Sequence, residues 1–327
     1  MGICKAFLAS YIFTAFAGIL FKEKLHITEV IFLKYRTDLA VEGVENLEQS
    51  GVRPGEKDGI VMDKEKIDED IKVTTIDIVN LKGEAMLGKP CGRYVTMEVK
   101  GIIDEKEGIS ERAAKALARQ LSKLVKHRYD LKVLVVGLGN EKVTPDSLGP
   151  HTVSKIKITS HLFKIFGCDG DEEMSNVSGL APGVTATTGM ETAELIEKAV
   201  EMTKPDVVIA IDALAARNID RVSTTIQISD TGISPGAGMG NVRKQLNEAS
   251  LGTKVIAIGV PTVIDSKTVI LEALEEMKIP EEKAYHYMDS REFDMVVTST
   301  DIDLVIKSFS DIIAKAVNIT LHPGIYS

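Results

Sequence analysis

Two hydrophobic patterns divide the chain. Apolar and polar residues alternate between about residues 59 and 100, for example at 72–78 and 93–99, which predicts antiparallel strands with one polar face. The second half contains uninterrupted apolar runs at residues 133–138, 207–211 and 255–258. Such runs are typical of parallel strands that are covered on both faces of a sheet.

Helical periodicity appears between and after these runs. A helix is predicted over residues 111–126, with one apolar face and with Ser110 placed to cap its first turn. Further helices are predicted over residues 191–202, 265–277 and 300–319. This alternation predicts an α/β fold, a layered sandwich around a mostly parallel sheet with a small β-rich N-terminal extension.

Two aspartates follow buried strands. Asp212 comes directly after residues 207–211, and Asp146 follows the Gly137–Asn140 turn that ends the run at 133–138. Because parallel strands end at the same edge of a sheet, we expect the two carboxylates to share one site. A carboxylate pair divides into an acid and a base, which suits activation of water against an amide. Asp146 has a plainer interpretation as a turn residue that caps the next helix.

Other chemistries have less support. The chain has no Gly-x-Ser-x-Gly motif, and Cys91 has no histidine near it in the sequence. The Gly137–Asn140 turn lacks the third glycine of a dinucleotide motif and the lysine of a P-loop, which weighs against a nucleotide site. A non-catalytic small-molecule binder built around this turn is nevertheless an alternative function. The six histidines form no HxxxH pair, but two acids with one histidine could hold a divalent metal ion.

The amino-acid composition limits which partners the chain could bind. The chain has 39 basic and 48 acidic residues and a net charge of -9, which opposes binding to a phosphate backbone. We therefore expect no direct binding of nucleic acid. The three cysteines are widely spaced, as in a protein of a reducing compartment without disulfides.

The amino terminus carries an apolar segment. Between Lys5 and Lys22 lie 16 uncharged, mostly apolar residues, fewer than the ~20 of a membrane-spanning helix. Three interpretations are open: a secretion signal cleaved after Ala15-Phe-Ala17, a membrane-touching anchor, or, for residues 1–24, upstream sequence included by a misplaced translation start.

Several further segments carry a resemblance to a known family. They lie at residues 35–42, 92–96, 188–192, 226–232, 240–244 and 258–262. Together with the two aspartate blocks, they resemble the germination proteases of spore-forming bacteria across most of the chain. The Gly-Asn turn and the two acids are also distantly similar to hydrogenase maturation endopeptidases, which use acids and a histidine as nickel contacts.

The resemblance implies an aspartic-type endopeptidase with Asp146 and Asp212 as its catalytic acids and with no cofactor. It implies a zymogen that processes itself between Asp38 and Leu39, so that residues 1–38 are a prosegment and 39–327 one peptidase domain with its β-rich part at about 59–100. The sequence from Asp38 to Glu42 is itself similar to the pattern at which the family cuts small acid-soluble spore proteins during germination.

The same resemblance implies a homo-oligomer of the cytoplasm, in the forespore and spore core. A translation start near Leu25 or Val30 is then favoured over an anchor, with membrane attachment as the alternative. No histidine lies near residues 232–241, so no metal site is predicted, and a metal-dependent maturation endopeptidase is the alternative enzyme.

A substrate with an acidic residue before the cleaved bond needs a basic partner. Arg217, Arg243 and Lys244 are candidates, although structural ion pairs would explain each equally well. Glu191 opens a predicted helix, where it could orient a catalytic group or favour the helix dipole.

Overall fold

A computed structural model of the chain describes residues 37–235, 244–279 and 295–326, together with Lys283 and Tyr287. The apolar N-terminal segment, the glycine-rich stretch at 236–241, and Arg243 lie outside these residues. Within the described part of the chain, no helix has both the length and the apolar character needed to cross a membrane.

A mixed sheet organises the described residues. Its strands are β1 (Ile60–Lys66), β2 (Ile71–Ile78), β3 (Gly92–Val99), β4 (Lys132–Gly137), β5 (Asn176–Leu180), β6 (Val207–Ala216), β7 (Thr225–Ser229), β8 (Lys254–Asp265) and β9 (Val296–Thr298). The order is β1-β2-β3-β7-β8-β6-β4-β5, with β9 beside β8. Strands β5, β4, β6 and β8 are parallel, and the other pairings are antiparallel.

Helices cover both faces of this sheet. They are α1 (Ala40–Gln49), α2 (Leu81–Leu87), α3 (Ile109–Leu124), α4 (Leu148–Val153), α5 (Ser160–Phe166), α6 (Thr185–Thr188), α7 (Thr192–Thr203), α8 (Glu248–Leu251), α9 (Ser266–Glu276) and α10 (Ile302–Leu321). Short 3-10 turns lie at Glu56–Asp58, Thr144–Asp146 and Ile219–Arg221.

Successive residues of β4 point to opposite sides of the sheet and enter different cores. Val133 and Val135 pack in one cluster with buried residues of α3 and α10. Leu134 and Val136 pack in another cluster with buried residues of α7. Because both faces are covered, this strand has no polar side, which explains its unbroken apolar run.

The predicted α/β sandwich is confirmed. The β-rich N-terminal part is not separate from it, because β3 pairs with β7 and so joins β1–β3 to the central sheet. The predicted cap at Ser110 is wrong: α3 begins one residue earlier, at Ile109, and its N-cap is Gly108 with φ of 69°. Glycine adopts this left-handed conformation at no steric cost.

His322 is a buried titratable residue at the end of α10. It is fully buried, and its Nε2 donates a hydrogen bond to the carbonyl oxygen of Lys157 at 3.0 Å. Its Nδ1 is buried with no hydrogen-bond partner among the described residues. Burial lowers the pKa of His322, since protonation would place a charge and an unpaired N–H in the core.

We predict that His322 makes the free energy of unfolding fall as the pH drops below about 6.5, because the unfolded chain then binds a proton that the folded chain resists. A His322→Gln variant keeps a donor for Lys157 and removes the titration. Its stability, measured by urea unfolding, should fall less between about pH 7 and about pH 5 than that of the unaltered chain. His151→Gln, at an exposed position of α4, is the control, and an unchanged pH slope in His322→Gln would contradict the assignment.

Candidate active site

Asp212 lies where β6 continues beyond its neighbour β4. The pairing of β4 with β6 ends at Gly137 and Ile211, whereas the pairing of β6 with β8 continues through Asp212 opposite Gly259. Asp212 is 6% exposed, and its Oδ1 accepts a hydrogen bond from the N–H of Ala213 at 2.9 Å. The carboxylate is therefore buried at the carboxyl edge of the parallel strands.

Asp146 is held beside this edge by the turn that follows β4. The N–H of Asn140 donates both to Oδ2 of Asp146, at 2.8 Å, and to its main-chain oxygen, at 3.0 Å. Gly139 has φ of +107°, and a Cβ there would collide with that main-chain oxygen. The Gly-Asn turn thus needs its glycine to bring Asp146 close.

The capping interpretation of Asp146 receives no support from the helix that follows. Ser147 is the N-cap of α4 and makes no side-chain cap. Instead, the turn is tied to the sheet by Thr262 of β8, whose buried hydroxyl donates to the carbonyl oxygen of Pro145 at 2.7 Å. Asp146 is thereby positioned by the turn that follows β4 and by a residue of β8.

Both acids border one cavity, which we call the acid cavity. It has a volume of about 290 Å³, and its lining includes Asp146, Asp212, Thr262 and Asp38. The structure therefore brings together the two aspartates that the sequence singles out. It also places Asp38, the predicted processing residue, in the same wall.

Asp38 is bound along the free edge of β6. Its N–H donates to the carbonyl oxygen of Ala215 at 3.0 Å, and its Oδ2 accepts from the N–H of Ala215 at 2.8 Å. The register of β6 against β8 shifts between Leu214 and Ala215. Asp38 is followed by Leu39, which is fully buried.

Glu42 anchors the other end of the predicted processing segment, residues 38–42. Its carboxylate accepts from the main-chain N–H groups of Arg217, at 2.7 Å, and Asn218, at 2.9 Å, and from the hydroxyl of Thr37. Arg221 lies 3.7 Å away. Burial raises the pKa of Glu42, although each of these partners lowers it. Sequence reasoning missed this role, since no local motif marks Glu42 as a buried acid.

The comparison with known sequences then identifies the family. The germination protease family profile matches residues 38–278. The chain belongs to the germination protease family.

Relatives of this family match over about three quarters of the chain or more. A germination protease of Caldanaerobacter subterraneus is 41% identical over 90% of this chain and 97% of its own length. One from Clostridium perfringens is 42% identical over 88% of this chain and 95% of its own. One from Bacillus subtilis is 44% identical over 73% of this chain and 66% of its own. Membership of a germination protease family makes the chain a protease, and hence a hydrolase.

Three of the four candidates for substrate binding have partners among the described residues. Arg217 is buried, and its guanidinium lies 3.3 Å from Glu272 and donates to Gln49 at 2.9 Å. Lys244 pairs with Glu197. Arg243 lies outside the described residues.

Glu191 is the N-cap residue of α7 and makes no side-chain cap. The hydroxyl of Thr185 donates to its Oε2 at 3.3 Å. Its neighbour Thr192 borders the acid cavity, whereas Glu191 is not among the described residues that do. Across the described residues, no group of three or more His, Cys, Asp or Glu side chains is arranged to hold a metal ion.

The hydrogen bond from Thr262 to Pro145 should matter for activity as well as stability. A Thr262→Val variant leaves that carbonyl without its donor, and we expect a loss of about 1–3 kcal/mol in unfolding free energy. Displacement of the Asp146 turn should also lower peptidase activity by about tenfold or more.

Thr320→Val is the matched control, since the buried hydroxyl of Thr320 donates to Ala316 at 2.9 Å within α10. It should reduce stability by a similar amount and leave peptidase activity unchanged. Calorimetry and a peptide cleavage assay measure the two effects. Equal activity in the two variants would show that Thr262 has no special part in placing Asp146.

Proposed function

We propose that the chain is an endopeptidase of spore germination in which Asp146 and Asp212 activate water by acid–base catalysis. One observation carries this proposal: both acids and Asp38, the predicted cleavage residue, border the same cavity. Carboxylates that border a cleft are candidates for acid–base chemistry. Hydrolysis of a peptide bond in this cavity is the reaction that we propose for them.

The proposed reaction needs one base and one acid. One carboxylate takes a proton from water, and the resulting hydroxide adds to the carbonyl carbon of the peptide. The other carboxyl group gives its proton to the departing nitrogen as the carbon–nitrogen bond breaks, which leaves a new carboxylic acid and a new amine. The pair titrates as a unit, so the roles belong to the dyad rather than to one residue.

The proposal extends to maturation of the chain. The peptide between Asp38 and Leu39 is its own first substrate, and residues 1–38 form a prosegment that is removed. Support comes from the hydrogen bond between Asp38 and Ala215 of β6, which holds Asp38 at the border of the acid cavity. Small acid-soluble spore proteins with a similar acidic-Leu-Ala-Val-Glu sequence are the proposed substrates in the spore core, and a homo-oligomer is the proposed assembly. Glu191, Arg217, Arg243 and Lys244 stay candidates for substrate binding.

The decisive experiment follows the new amino terminus. The full chain is incubated under mildly acidic, dehydrating conditions, and its products are sequenced from the amino end. We expect a terminus at Leu39 in the unaltered chain. Asp146→Asn and Asp212→Asn should each slow its appearance by about 10³-fold or more, because each removes one member of the dyad.

Asp303→Asn is the matched control, since Asp303 is an exposed aspartate in the first turn of α10. It should process normally. Normal processing in either dyad variant would refute the mechanism. Inhibition by a chelator with rescue by nickel or zinc would instead establish the metal-dependent alternative.

A further inference from the structure

Two side-chain donors converge on the carbonyl oxygen of Asp38. The ammonium nitrogen of Lys89 lies 3.0 Å from this oxygen, and Nε2 of Gln227 lies 2.9 Å from it. The two donors belong to different parts of the fold, the loop after α2 and the middle of β7. A site that stabilises the negative charge formed in acyl transfer needs donors aimed at the position that this oxygen takes in the transition state, and two side-chain donors on one carbonyl oxygen are the arrangement from which such a site is built.

A hydrogen bond to Ala40 determines which way the side-chain amide of Gln227 faces. Its Oε1 accepts a hydrogen bond from the N–H of Ala40 at 2.8 Å. An N–H group can only donate, so the amide oxygen must face Ala40 and the amide nitrogen must face Asp38. Gln227 is 7% exposed and therefore held in place by its surroundings.

The loop that carries Lys89 is also fixed. Gly88 ends α2 in the left-handed conformation, with φ of 61°. The hydroxyl of Tyr94 donates to the carbonyl oxygen of Pro90 at 2.9 Å. Burial raises the pKa of Tyr94 to about 12, so this hydroxyl keeps the proton that it donates. Lys89 thus approaches Asp38 from a stretch of chain that is held on both sides.

These donors and the catalytic acids lie in different cavities that meet at Asp38. Lys89 and Gln227 line a second cavity of about 310 Å³, which we call the donor cavity. Asp38, Leu214 and Ser234 border both this cavity and the acid cavity. The peptide between Asp38 and Leu39 therefore lies between the two acids, which are the proposed source of activated water, and the two donors that bind the carbonyl oxygen of Asp38.

We propose that Lys89 and Gln227 are catalytic residues that form an oxyanion site for cleavage between Asp38 and Leu39. This inference rests on the proposed function. When hydroxide adds to the carbonyl carbon of Asp38, the electron pair of the C=O double bond moves onto oxygen, where Lys89 and Gln227 meet the charge. The pair returns as the bond to the Leu39 nitrogen breaks, and that nitrogen takes the proton from the dyad.

Two carboxylates face the ammonium group of Lys89. Burial lowers the pKa of Lys89, and the carboxylates of Asp38 and Glu42 offset part of that shift. A cation beside the developing oxyanion stabilises the transition state more than the neutral ground state, which is the requirement for catalysis.

The test compares processing rates of full-length variants, scored by the Leu39 terminus. Lys89→Met removes the charge and the donor and should slow processing by about 10²–10³-fold. Lys89→Arg keeps both and should recover part of that rate. Gln227→Glu keeps the acceptor for Ala40 and replaces the donor to Asp38 with an oxygen, so it should also be slow. Lys82→Met, at an exposed position of α2, is the matched control and should process normally.

Hydrogen exchange at the amide of Ala40 separates catalysis from anchoring. An oxyanion role predicts that Lys89→Met slows processing while this amide stays protected. A parallel loss of protection and rate would show that Lys89 only holds the segment, and a normal rate would equally overturn the inference. In both cases, loss of processing in Asp212→Asn would leave the proposed function intact. If Lys89→Met does not fold, a normal rate in folded Gln227→Glu would overturn the inference.

Discussion

The extension of β6 beyond the end of β4 is the constraint on which the site depends. β8 continues to pair with β6 as far as Ala216, whereas β4 stops opposite Ile211. Beyond Ile211, one edge of β6 is paired with β8, and the other edge has no neighbouring strand among the described residues. Asp38 binds to that second edge through two hydrogen bonds with Ala215. An unpaired strand edge offers main-chain donors and acceptors to any extended segment. Without this difference in length, Asp38 would have no place beside the two acids.

The sequence allowed a site residue to be predicted where an acidic side chain comes after a long apolar run. A strand covered on both faces has no polar side chains until it reaches the edge of the sheet, so Asp212 could be recognised by its position alone. Asp146 lies near the same edge because the turn before it contains Gly139, whose positive φ is accessible to glycine. A glycine in that turn is visible in the sequence. The α/β fold and the meeting of the acids were therefore predictable.

The environment of Asp38 was not predictable in the same way. Lys89 and Gln227 lie far from Asp38 in the sequence. Gln227 falls within the segment 226–232, but nothing in that segment links it to Asp38 or to Lys89. Their convergence depends on how α2 and β7 pack around the segment, which tertiary structure alone determines. Two of the basic residues that charge complementarity suggested pair elsewhere: Arg217 with Glu272 and Lys244 with Glu197. The carboxylate of Asp38 instead accepts a hydrogen bond from the main-chain N–H of Ala215.

The binding of Asp38 and Glu42 by main-chain groups has a consequence for how the family can change. Ala215 holds the first acid, and Arg217 and Asn218 hold the second through their amide nitrogens rather than their side chains. Every residue except proline supplies such a donor, so most codon changes at these positions leave the recognition of both acids intact. An insertion or a deletion that moves the strand by one residue would instead displace these donors. The donors that hold the two acids are in this sense independent of the side chains that surround them.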